Sequence, residues 1–253
     1  MTYSILELEH IFLILCRIGA FLMVMPGFGS SRTPTRVRLF LAIVLAVAMS
    51  GLVPIPADRP SIQLQPTIAA TYIAAELMTG AAIGMVGRLL FGALHFAANS
   101  AAAMIGLTAS IKPAVEDDES TDAFAEMYMV TAVTLFFITN LHVEVILALV
   151  RTYDAIPMGS GEMYREGVSI ALDTLRQGFK SALQVVAPFV VYSITVNFIF
   201  AVINKLIPSF PAFFISIPFV IFGGLMLSLY AVPDGVEKYM SDIVRIIGRE
   251  FGE

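Results

Sequence analysis

Five stretches of the chain carry no Asp, Glu, Lys or Arg over lengths close to what a hydrocarbon layer demands. Leu39 to Ala57 runs 19 residues without a charge, Leu89 to Ile111 runs 23, Met127 to Val143 runs 17, Ser181 to Asn204 runs 24 and Leu206 to Pro233 runs 28. About 20 apolar residues cross roughly 30 Å of lipid as a helix, so only the third falls short, and marginally. Two further stretches, Ile11 to Gly29 around Arg17 and Ile62 to Gly87 around Glu76, are apolar but for that one charge. Seven candidate segments predict an all-α integral membrane protein. Composition agrees: 14% of residues are charged, against about 25% in soluble domains, and mean hydropathy is +0.84.

The few charges say what the chain does not do and how it is oriented. Fifteen basic residues, scattered and outnumbered by 20 acidic ones, exclude a phosphate-reading surface, so no nucleic-acid partner is expected. Cys16 is the single cysteine, which rules out an internal disulfide. The start, with Glu7 and Glu9 and no basic cluster, does not read as a cleavable leader, so the first apolar segment is expected to stay in the mature chain. An outside amino end puts Arg32, Arg36, Arg38, Arg88, Arg151, Arg165, Arg176, Lys180, Lys238, Arg245 and Arg249 on the inner side, leaving Arg59, Lys112 and Lys205 opposite. Arg88 and Lys205 would then be one-residue loops, shorter than antiparallel helices normally need. Some neighbouring runs are therefore expected to be kinked apolar hairpins rather than separate spans.

Pro208, Pro211, Pro218 and the Gly223-Gly224 pair fall in one apolar stretch and are read as kinks. Backbone groups freed by proline are costly in lipid, so this stretch is expected to face other polypeptide; a repaired, lipid-facing bend is the alternative. Gly80 and Gly84, and Ala93, Ala97 and Ala101, recur every four residues, a spacing suited to close helix packing. Lys112 to Glu126 holds six acids and reads as a solvated acidic loop without the calcium-loop pattern. From Glu162 to Lys180, Val168, Leu172, Leu175 and Phe179 form an apolar helical face. The tail, 234–253, repeats the pattern in Val236, Met240, Ile243, Ile247 and Phe251, with Asp234 as its cap; it suits either a membrane interface or a partner protein.

Catalytic motifs are missing from the sequence. His10, His95 and His142 lack zinc spacing, and neither a Walker sequence, a dinucleotide fingerprint nor a nucleophile elbow occurs. No catalytic, cofactor-binding or metal-ligating residue is expected. Arg17, Glu76, Arg88 and Glu144 remain as isolated charges in apolar surroundings, read as buried, pore-lining or interface groups. Snorkelling is simplest for Arg17 and Glu144. Glu76 and Arg88 lie about 18 Å apart on one straight helix, so each needs a partner elsewhere or water. Glu76 with Glu144 would make only a thin acid relay for a proton-coupled transporter.

In order along the chain, Arg17-Ile18-Gly19, FLMVMPGFG, TPTRVR with Pro34, Arg36 and Arg38, then Pro54, Gly80, Gly84, Phe91, Ala93, IGL at 105–107, FFITNLH with His142, Pro157-Met158-Gly159, VAPFVV, and Pro208, Phe213 and Pro218 in a P-x4-F-x4-P pattern resemble the FliR family. That family is the flagellar member of a group shared with virulence type III secretion. Asn197, Lys205 and Pro211 depart from its common residues. The resemblance covers most of residues 1–253 as one membrane domain. It implies a non-enzymatic, cofactor-free subunit of an inner-membrane export gate in the flagellar basal body. FliP-like, FliQ-like and FlhB-like subunits would be its partners, and unfolded flagellar proteins its cargo. It also implies a plug near 105–125, for which Ile105, Gly106, Leu107 and Ile111 are the candidate sealing residues. A virulence export subunit and a proton-coupled secondary transporter are the alternatives.

Overall fold

A computed structural model describes residues 5–29, 33–55, 66–107, 123–159, 163–209 and 211–251. Among these, seven helices and no strand occur: α1 (Ile5–Val24), α2 (Thr35–Met49), α3 (Pro66–Met104), α4 (Ala123–Ile138), α5 (Leu141–Ala155), α6 (Met163–Leu206) and α7 (Ala212–Phe251). Thr67–Met104, Leu172–Leu206 and Phe214–Ile243 are long and apolar enough to cross a membrane, and α4 with α5 makes a fourth candidate if the pair is one broken span. The protein is thus an all-α membrane protein.

Helix boundaries follow the backbone chemistry more closely than the charge pattern. Two predicted segments, meeting at Arg88, are one helix: α3 runs 39 residues, about 58 Å, with Arg88 exposed on its side. No proline interrupts it there, and one exposed charge does not end a helix. Lys205 lies in the last turn of α6, and the break falls after it, at 207–211, where Pro208 and Pro211 stand. Pro188, Pro218 and Pro233 are accommodated inside helices. Of the expected acidic loop, residues 112–122 lie outside the described residues, whereas Ala123 to Glu126 open α4 as helix.

The chain divides into two compact units, one made of 1–91, 142–175 and 244–253, the other of 92–141 and 176–243. In the first, Leu13, Ile14, Ile18 and Phe21 of α1 are buried with Ala42 and Ala46 of α2. His10 Nε2 lies 3.0 Å from the Val53 carbonyl, tying the start of α1 to the chain just after α2. Gly80 and Gly84 do what their spacing predicts: each lets α3 touch α1 backbone, at Arg17 and Phe21 respectively.

In the second unit, Ala93, Ala97 and Ala101 of α3 are buried, and so are Phe124, Tyr128 and Phe136 of α4. Phe189 of α6 meets Phe124 edge to face at 6.2 Å between ring centres. Two predicted faces change. In the early part of α6, which passes from the first unit to the second after residue 175, Thr174, Gly178 and Ala182 are buried, whereas Leu172 is 61% exposed and Phe179 is exposed, its ring tilted at 51° to that of Phe96 with 5.8 Å between centres; the side chain of Val168 lies outside the described set. The tail is no separate helix. Asp234 is an interior, exposed residue of α7 rather than a cap, and Val236, Tyr239, Met240 and Ile243 are buried in the chain's own core. The contacts that hold this turn are Val185 against Gly235 and a 2.8 Å bond from Ser181 Oγ to Asp242 Oδ2. Neither a membrane interface nor a partner is therefore needed to cover that stretch of the face.

Candidate functional site

Two of the four isolated charges meet in the first unit. Arg17 Nε donates to Glu76 Oε2 at 2.7 Å and Arg17 Nη2 to Glu76 Oε1 at 3.1 Å, a bidentate pair between α1 and α3. Both residues are 0% exposed, which corrects the snorkelling reading of Arg17. A charge pair this deep survives only when its remaining hydrogen-bonding capacity is met. Here α5 and the turn after it meet that demand: Arg17 donates to Thr152 Oγ1 at 3.3 Å and to the Ile156 carbonyl at 3.2 Å, and the Gly159 N–H donates to Glu76 Oε1 at 3.1 Å. The guanidinium carbon sits 3.8 Å from the centre of the Tyr153 ring, over its negative face.

Glycines set this geometry. A Cβ on Gly80 would lie 2.0 Å from the Arg17 carbonyl oxygen, so only glycine, one helical turn beyond Glu76, lets the two backbones come this close. Gly159 has φ +77 and its Cβ position falls against the Tyr72 ring, so the Pro157-Met158-Gly159 turn aims an N–H at the carboxylate through a conformation that favours glycine. Thr152, Tyr153 and Gly159 were not singled out as partners by sequence reasoning; the Pro-x-Gly turn was the available signal. Arg88 and Glu144 are exposed and are not among the bonding partners of Glu76. The cluster joins α1 and α3 to α5 and the turn after it, through a bidentate pair whose carboxylate also accepts the Gly159 N–H.

Candidate sealing residues and predicted kink residues meet in the second unit. The α3 helix ends in a Schellman motif: Gly106 N–H donates to the Ala103 carbonyl at 3.1 Å, Leu107 N–H to the Ala102 carbonyl at 3.0 Å, and Gly106 has φ +74. Ile105, 0% exposed, presses its side chain on Gly224 of α7, where a Cβ would lie 2.4 Å from Ile105 Cγ2. Val220 and Ile221 face Gly106. Gly223 leaves room for Tyr192, whose hydroxyl bonds the Phe219 carbonyl at 2.8 Å and lies 3.2 Å from that of Val220. The glycine pair thus provides seats for Ile105 and Tyr192 inside an unbroken helix; Tyr192 had no local signal beyond a hydroxyl on an apolar run. Leu107 is half-buried, and Ile111 lies outside the described residues.

Because a Cβ on Gly106 would meet only ordinary contacts near 3.9 Å, Gly106→Ala isolates backbone strain. It should cost about 1–2 kcal/mol, read as a lower unfolding midpoint of the full chain in detergent.

Residues 8–245 match the family described as bacterial export proteins, family 1. Among curated relatives, the flagellar biosynthetic protein FliR of Caulobacter vibrioides is 29% identical over 222 residues, covering 85% of each chain. The Aquifex aeolicus FliR is 24% identical over 217 residues, covering 86% of this chain and 83% of its own. The Escherichia coli FliR is 24% identical over 220 residues, covering 87% and 82%.

Proposed function

The chain belongs to the bacterial export proteins, family 1, and on that basis we propose that it is a non-enzymatic subunit of the flagellar protein export apparatus in the bacterial inner membrane. It packs with FliP-like, FliQ-like and FlhB-like subunits in the basal body, around a passage for unfolded flagellar proteins. The observation that carries this reading is the match over nearly the whole chain, with similar coverage of relatives that bear a flagellar name. That name favours the flagellar role over a virulence one.

The surface supports it. In the apolar windows of α6 and α7 only 17% and 22% of residues are buried, leaving Val191, Ile194 and Phe198, with Phe219, Phe222 and Leu229, exposed. Such a surface needs lipid or the helices of other subunits. The end of α3, locked by Gly106 and wedged on Gly224, is suited to hold Leu107 as part of the seal. A proton-coupled transporter finds no such support, since the buried carboxylate is spent on Arg17 and Gly159.

Deleting the gene should abolish motility and export of filament protein, and the intact sequence should restore both. Co-expression with FliP-like and FliQ-like partners should yield a detergent-stable complex containing this chain. Full export in its absence, or a monomer that drives solute uptake into proteoliposomes, overturns the proposal.

A further inference from the structure

Of the three helices long and apolar enough to cross a membrane, α3 alone exposes a charge near its middle. Arg88 lies close to the midpoint of the 38 residues Thr67–Met104, and among the described residues it has neither a hydrogen bond nor an ion pair. By contrast, α6 carries no charge from Ser181 to Asn204 and α7 none before Asp234. The large side chains exposed there include Ile194, Phe198, Phe219 and Phe222.

The side of α3 that Arg88 occupies stays polar for three turns. His95 follows seven residues later and Asn99 four after that, which at about 100° per residue keeps both within about 20° of Arg88 around the helix. Gly92, exposed between them, leaves backbone open, with no heavy atom within 4 Å of its Cβ position. Asn99 Nδ2 donates to the His95 carbonyl at 3.1 Å and lies 3.1 Å from His95 Nδ1. The carbonyl contact fixes the amide nitrogen on that side, so Nδ1 accepts and the ring proton sits on Nε2. Neither His95 Nε2 nor Asn99 Oδ1 has a partner among the described residues, and both side chains are only half-buried. Over about 16 Å the helix thus presents a cation, a neutral donor and an acceptor, all unengaged.

We propose that this side of α3 is wetted and lines the passage, touching the cargo chain as it moves; the assignment rests on the export-subunit reading above. Lipid does not suit it, because an arginine near the centre of a span is costly in hydrocarbon and such residues face protein or a water-filled path. A folded neighbour has to match a lone cation, a donor and an acceptor at fixed positions. An extended chain carries an N–H and a C=O at every residue, about 3.3 Å apart, so it satisfies this line at any register, as water does. That tolerance is what unfolded cargo of varied sequence requires.

Single cysteines report the environment once the one native cysteine is removed by Cys16→Ser. The complex with its companion subunits, carrying Arg88→Cys, Asn99→Cys, Ile194→Cys or Phe222→Cys, is placed in nanodiscs, which leave both faces open, and treated with a charged, membrane-impermeant thiosulfonate. Thiolate is the reactive form and apolar surroundings suppress it, so the two α3 variants should react about 100-fold faster than Ile194→Cys and Phe222→Cys. A benzophenone maleimide attached at Asn99→Cys should then cross-link filament protein stalled in transit by a fused, tightly folded domain. Reaction of the α3 variants as slow as that of the α6 and α7 variants overturns the assignment, because that side is then dry. A cross-link to a companion subunit in place of the cargo also overturns it and makes the side a subunit contact. Gene deletion separates either failure from failure of the export reading: export lost without the chain keeps the subunit and removes only the wetted side, whereas export retained removes both.

Discussion

Glu76→Ala is expected to destabilise the full chain by about 3–5 kcal/mol, because it leaves the Arg17 guanidinium charged, buried and facing a void. Arg17→Ala should cost a similar amount by stranding the carboxylate, whose remaining donor among the described residues is the Gly159 N–H. The informative variant is the double change, Arg17→Leu with Glu76→Leu. Two leucines carry no charge to bury, and the residual cost is that of leaving the Gly159 N–H and the Ile156 carbonyl without these partners, about 1–3 kcal/mol each at most. The double variant should therefore be less damaging than the two single losses added together, with a coupling energy of about 2 kcal/mol or more. Chemical unfolding of each protein in one detergent, followed by circular dichroism, measures all terms of the cycle. If the two single losses simply add, the bidentate pair is not what holds α1 to α3.

The spans were readable in the sequence because lipid imposes one rule, length without charge, that a one-dimensional pattern records directly. The rule failed where a charge does not interrupt hydrogen bonding: Arg88 sits exposed on a continuous α3, and it is Pro208 and Pro211, not Lys205, that separate α6 from α7. Arg17 and Glu76 were visible as costly isolated charges, but not as each other's partner. They lie 59 residues apart, and Thr152 lies 135 residues from Arg17, so no local period relates them. Gly80 was legible as a packing residue, yet only three dimensions reveal that it packs on the carbonyl of the same arginine. Gly223 and Gly224 are read from sequence as kinks; what the structure adds is that their missing side chains make room for Tyr192 and Ile105. Of the predicted face of the tail, Val236, Met240 and Ile243 are buried, while the side chains of Ile247 and Phe251 lie outside the described residues; periodicity states only that a face needs covering, and α6 of the same chain supplies contacts there through Val185 and Ser181.

Gly80→Ala should be as damaging as breaking the ion pair, although it adds one methyl group and touches no charged atom. The added Cβ would lie 2.0 Å from the Arg17 carbonyl oxygen, 2.8 Å from its carbon and 3.0 Å from its Cα. All three are backbone, so no rotamer change relieves the overlap, and α1 has to move off α3 by more than about 1 Å to reach ordinary contact near 3.4 Å. Movement of that size opens the 2.7 Å bond between Arg17 and Glu76 on the adjacent turn. Overpacking alone costs about 1–3 kcal/mol, and weakening the buried pair adds to it, for an expected loss of about 3 kcal/mol or more. Gly92→Ala, on the same helix with nothing within 4 Å of its Cβ position, is the control and should be neutral or stabilising by up to about 1 kcal/mol. Placing Gly80→Ala in the Arg17→Leu and Glu76→Leu background separates the two contributions. The steric part is expected to persist there, because the clash is with backbone, while the electrostatic part disappears. A Gly80→Ala protein that unfolds at the same denaturant concentration as Gly92→Ala would show that α1 and α3 do not approach this closely.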